Sequence, residues 1–214
     1  MAVSISDACR TLLETVRWAC RTLLETVRCD TRDSPPPQPV TAGTVLDPVP
    51  LKSADAAALF PAAASAAAGV DKASGGRNQT VVWKKGDRSL MIFPARVSAK
   101  FGPGVVAVTI PVSCDQTGDV AVTVTFVVGD PARPAGLLAA TEARPRGPAI
   151  IVNSWGENLI AFAWETMLEL CGNIAGEAGR DVDGAPLVPI ALTASPYGLT
   201  IVPMARHTFD RRRT

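Results

Sequence analysis

The chain has 214 residues, 47% of them apolar and 19% charged, with a formal net charge of +1. That mixture excludes a wholly disordered or fibrous protein, and so small a net charge excludes a strongly basic nucleic-acid binder judged on total charge. No stretch of about 18 uninterrupted apolar residues occurs, so no membrane-spanning helix is indicated.

In chain order, the first feature is a duplication. Ala8–Arg17 reads ACRTLLETVR, and Ala19–Arg28 repeats it without change across Trp18. The resulting 11-residue period is close to three helical turns. On a wheel of about 100° per residue, Leu12, Leu13, Val16, Leu23, Leu24 and Val27 fall within an arc of roughly 120°, the width of an ordinary buried stripe. Arg10, Glu14, Arg17, Arg21, Glu25 and Arg28 line the opposite side, with spacings that permit weak ion pairs. Residues 1–30 are therefore expected to form an amphipathic helical arm. Its functional reading is an association helix whose stripe meets a second copy or another protein. Two alternatives stand beside it: an ordinary surface helix packed on its own domain, and a tandem duplication with no selected role.

Six prolines between Asp33 and Pro50 forbid a continuous helix, and Pro35–Pro39 predicts an extended polyproline spacer. The Ala-rich stretch Ser53–Ala68, interrupted by Pro61, suggests two short helical pieces or a partly ordered connection. With the flexible Ala73–Gly76 joint, residues 31–76 read as a linker.

From residue 77 to 214 the pattern predicts a folded α+β domain. Thr80–Lys84 and Ser89–Phe93 flank a turn at Lys85–Arg88, and Val105–Val112 and Val120–Val128 alternate apolar with small or polar residues. Together they predict an antiparallel sheet of at least four strands with one wet face. Gly129–Pro148, rich in proline and arginine, reads as a surface excursion with one short strand or helical turn near Leu137–Ala140. Ser154–Ile174 is predicted as one long helix, with Ser154 and Glu157 at capping-box spacing. Its apolar side, which includes Leu159, Ala163, Met167 and Cys171, is expected to pack on the sheet; Phe162 lies outside that arc and implies cover from a second side. Leu187–Thr193 and Leu199–Met204 flank the turn Ser195–Gly198, with Pro189 and Pro203 pointing to edge strands. The fold class is thus an antiparallel sheet packed on one long helix, preceded by the amphipathic arm and the Pro-rich linker.

Few residues carry chemistry. Five cysteines without a CxxC pair form neither a disulfide framework nor a zinc set, and neither a metal site nor a cofactor is implied. Gly102–Ala107 matches GxGxxA only in letters, because a β-branched strand rather than a helix follows it. Asp181–Gly184 resembles the start of a calcium loop but lacks later ligands, so an Asx-type turn is expected. Cys114 lacks a base in its own loop, and the single histidine, His207, sits in the tail. Glu157, Glu165 and Glu169 fall on the polar side of the long helix, and Trp155 and Trp164 read as core. Arg206 and Arg211–Arg213 form a basic tail for which nucleic-acid contact is the lesser reading.

The function expected from these residues is a non-enzymatic adaptor or assembly subunit. It is expected in the cytoplasm, without a membrane role, with the six stripe residues of the arm as its partner-binding site. The alternative is a small-ligand-binding or enzymatic domain with a site between sheet and helix.

Overall fold

The computed structural model describes residues 44–69 and 80–205, apart from 134, 137–139, 142 and 143. The expected arm helix, the polyproline spacer and the basic tail lie outside these residues. What is described belongs to a body of mixed α and β structure.

The body begins upstream of residue 77. Strand β1 (Val49–Lys52) leads without a break into helix α1 (Ser53–Ala67). The two short pieces expected around Pro61 are one helix. Pro61 brings no N–H to the carbonyl of Ala57, which ordinarily costs a helix about 3 kcal/mol. Burial on one side offsets that cost: Ala56, Phe60, Ala63 and Ala64 are all buried, and the Phe60 ring lies 6.1 Å from that of Phe101. Ser65 Oγ also donates to the Pro61 carbonyl at 2.8 Å. The linker expected over 31–76 is thereby corrected for 44–69. The Ala-rich composition supplies small side chains that let α1 lie close against its neighbours.

After residue 80 the predicted hairpins are present. β2 (Val81–Lys85) and β3 (Arg88–Ile92) pair in antiparallel fashion, and β5 (Val105–Cys114) pairs with β6 (Gly118–Val127) in unbroken register. The alternation reads true: Val106, Val108, Ile110 and Val112 are buried on β5, as are Val122, Val124 and Phe126 on β6. The sequence pattern missed β4 (Ser98–Gly102), which follows a 3-10 turn at Pro94–Arg96 and pairs with β5. The Gly102–Gly104 segment is the turn of this β4–β5 hairpin; Gly104 has φ +64°, and a Cβ there would lie 3.3 Å from the Val128 carbonyl.

The excursion contributes two short strands, β7 (Ala135–Gly136) and β8 (Ala140–Thr141), before helix α2 (Ala149–Ala178) and the hairpin of β9 (Val188–Ser195) with β10 (Gly198–Met204). The expected single sheet is two. One has six strands, running β2-β3-β5-β6-β8 with β4 also on β5, and the other is four-stranded in the order β1-β10-β9-β7. They join where Gly104 N donates to Ala194 O at 3.0 Å, and where Ala194 N donates to Gly129 O at 2.9 Å. β9 and β10 are interior strands, contrary to the edge positions inferred from their prolines. Pro189 and Pro203 face each other beside a register shift after Val202, where the ladder is already broken. The Pro203 carbonyl still accepts from Leu46 N at 2.9 Å.

Helix α2 starts five residues before Ser154, and its N-cap is Pro148 with no side-chain cap. The capping box is therefore not used. Ile151 is buried at 1% exposure, so packing holds a first turn that β-branched Ile150, Ile151 and Val152 would not favour alone. The helix is held from two sides. Trp83 of β2 lies 6.2 Å from Trp155 and 6.0 Å edge-on to Phe162, while Phe126 of β6 lies 5.6 Å from Trp164. Phe162 belongs to the core for this reason, and Leu168 is 38% exposed. The buried Thr166 donates its hydroxyl to the Phe162 carbonyl at 2.8 Å. No buried side-chain polar atom among the described residues lacks a partner.

Candidate functional site

The six stripe residues proposed as the partner-binding site, Leu12, Leu13, Val16, Leu23, Leu24 and Val27, lie outside the described residues, as does His207. The structure does place Cys114, Glu165, Glu169 and Asp181.

Cys114 ends β5 at the turn into β6. Its Sγ is 3.2 Å from Thr117 Oγ1, and Thr117 N donates to the Cys114 carbonyl at 3.2 Å. The Thr117 hydroxyl holds the thiol below its ordinary value, aided by the amides of Gln116 and Thr117 and opposed by partial burial and the Asp115 carboxylate. Cys171, on the core side of α2, is the opposite case: burial pushes its thiol up to about 12. One thiol is accessible and mildly activated; the other is inert packing.

Asp181 forms the expected Asx-type turn. Its Oδ1 accepts from Asp183 N at 3.0 Å and from Ala185 N at 2.8 Å. Glu165 and Glu169 are both exposed, as their side of the helix predicted. No group of three or more His, Cys, Asp or Glu side chains among the described residues is placed to hold a metal ion. No helix among them is long and apolar enough to cross a membrane.

The space between sheet and helix is where a ligand-binding domain of this architecture would hold its site. A crevice there, lined by Phe126, Val128, Trp164, Met167, Cys171 and Leu192 among others, has about 10 Å³ of free volume. That is room for roughly one water molecule, and the walls offer it almost no polar partner.

Two features were not legible beforehand. Lys85 Nζ donates to the Ser154 carbonyl at 3.3 Å and Arg88 donates to Ser154 Oγ at 2.9 Å, which ties the β2–β3 hairpin to α2. The second is the outer face of the six-stranded sheet. Its β5 positions are Val105, Ala107, Thr109 and Pro111, opposite Val127, Thr125, Thr123 and Ala121 of β6, with no ionisable side chain in these four pairs. Beside them Val82 and Met91 are cross-strand neighbours, 47% and 37% exposed, and Val127 is 50% exposed. Charge returns around these four pairs: Lys100 of β4, the partner of Ala107, and Asp119 of β6, the partner of Ser113, are exposed on the same face.

Comparison of the chain with protein-family models, curated proteins and solved structures finds no match in any of the three.

Proposed function

We infer that the protein is a non-enzymatic adaptor or assembly subunit that associates with a second copy or another protein through its N-terminal amphipathic helix. One observation carries this reading: the unbroken repetition of ACRTLLETVR, which doubles a Leu/Val stripe in register on one helical face. Burial of that stripe drives association, and the Pro35–Pro39 spacer sets the reach between arm and body.

The test is the solution mass of the full chain, by light scattering on a sizing column, against Leu12→Ala combined with Leu23→Ala. Each truncation removes apolar burial worth about 1–3 kcal/mol in the complex. The expected result is loss of arm-dependent assembly with the thermal unfolding of the body unchanged. Assembly identical to that of the unaltered chain overturns the reading.

A further inference from the structure

We propose that the exposed face of α2 is a seat for the chain's own basic segment 206–214, which follows β10, whatever the arm binds. The face has an apolar middle and an acidic rim. Leu168 is 38% exposed, and a Cβ added to Gly172, one turn on, would meet nothing within 4 Å. Glu165 and Glu169, both exposed, fall with them inside an arc of roughly 100°. Glu177 follows, also exposed, in the last turn. Over its 30 residues α2 carries glutamate but neither lysine nor arginine, so nothing on the helix offsets this charge or the negative end of its dipole. No ion pair joins these carboxylates to another of the described residues. Arg180, three residues past Glu177, instead donates to the Gly176 carbonyl at 3.0 Å.

Two observations select the occupant. The first is where the segment starts. Met204 of β10 pairs with Val188 of β9, and the side chain of the adjacent Leu187 lies 3.2 Å from where a Cβ on Gly179 would sit, directly after α2. Ala205, the last described residue, is therefore beside the C-terminal end of the helix. Extended at about 3.4 Å per residue, the chain from Ala205 reaches roughly 27 Å to Arg213, whereas Glu177 to Glu165 spans about 18 Å of helix. The second is complementarity. Residues 206–214 read RHTFDRRRT, with Arg206 and Arg211–Arg213 against one aspartate and a single large apolar residue, Phe209. Arginines over the glutamate rim and Phe209 over Leu168 give each group a partner. Ala205 N also donates to the Thr44 carbonyl at 3.1 Å, so a seated segment fixes the point at which the Pro-rich spacer leaves the body. It also withholds its arginines from acidic partners.

The experiment reads the Leu168 methyl groups of the full, isotope-labelled chain by NMR. A nuclear Overhauser cross-peak from them to the Phe209 ring is expected, at an intensity per molecule that does not change with protein concentration. Glu165→Lys combined with Glu169→Lys is expected to abolish it; both positions are exposed, so the body keeps its unfolding temperature. Reversing the segment alone, by Arg211→Glu, Arg212→Glu and Arg213→Glu, changes no residue of the body and is also expected to abolish it. The two sets of substitutions in one chain are expected to restore it. Absence of the cross-peak from the unaltered chain overturns the proposal, as does its survival in either variant or its failure to return in the combined one. A cross-peak that grows with concentration reports the segment of another copy and overturns it as well.

Discussion

Gly198 lies directly against the carbonyl of Leu51, so closely that no side chain fits between them. The contact lets β1 pair with β10, and it places Ser53 N to donate to the Tyr197 carbonyl at 2.7 Å, where strand passes into helix. One glycine in the last hairpin therefore seats the first strand and the first helix of the body. A Cβ at this position would meet the Leu51 carbonyl, and φ of +144° is one that side chains rarely adopt. Gly198→Ala is expected to cost about 2 kcal/mol or more, measured by chemical denaturation, with amide exchange increasing first in β1.

Phe60 tests whether α1 is part of the core. It is 0% exposed and meets Phe101 of β4. Phe60→Ala is expected to destabilise the body by about 3–5 kcal/mol, the usual cost of deleting a buried ring. A change below about 1 kcal/mol would mean that residues 53–67 behave as a linker after all.

The two described thiols are expected to differ in reactivity. At pH 8, peptide mapping after brief alkylation should find Cys114 labelled and Cys171 protected until the protein unfolds. Thr117→Ala removes the main cause of the lowered Cys114 value, so labelling of Cys114 at that pH is expected to slow.

Cys171 also predicts an alkaline limit on stability. Its thiol is raised from 9.0 to about 12 in the folded protein. Above pH 9 the unfolded chain loses this proton while the native chain keeps it, so the native state holds more protons and stability falls as pH rises. The full contribution is present below pH 9 and declines toward pH 12, by about 1.4 kcal/mol per pH unit for one group. Cys171→Ala is expected to flatten that part of the stability profile, despite a lower plateau from the cavity it leaves.

Asp181 gives a cleaner local test. Asp181→Ala deletes the acceptor for two backbone N–H groups and is expected to cost about 1–2 kcal/mol, whereas Asp181→Asn keeps an oxygen in place and costs less. Calcium at millimolar concentration is expected to leave the unfolding temperature of the unaltered chain where it was, since no group of three or more His, Cys, Asp or Glu side chains among the described residues is placed to hold a metal ion.

The sequence by itself determined the local pattern of this protein. Alternation assigned β5, β6 and their inward valines, because a strand with one covered face repeats every second residue. Glycine and turn residues marked the β2–β3 and β9–β10 hairpins, and the apolar spacing after Ser154 marked a long helix. Tertiary structure decided the rest. Helix α1 runs through Pro61 because Phe60 and its neighbours are buried, and α2 starts at Ala149 because Ile151 is buried, neither of which a local propensity contains. The division into two sheets is likewise non-local: β1 and β10 are adjacent in space and far apart in the chain. Periodicity tells which side of a strand is covered, but only packing tells which element covers it.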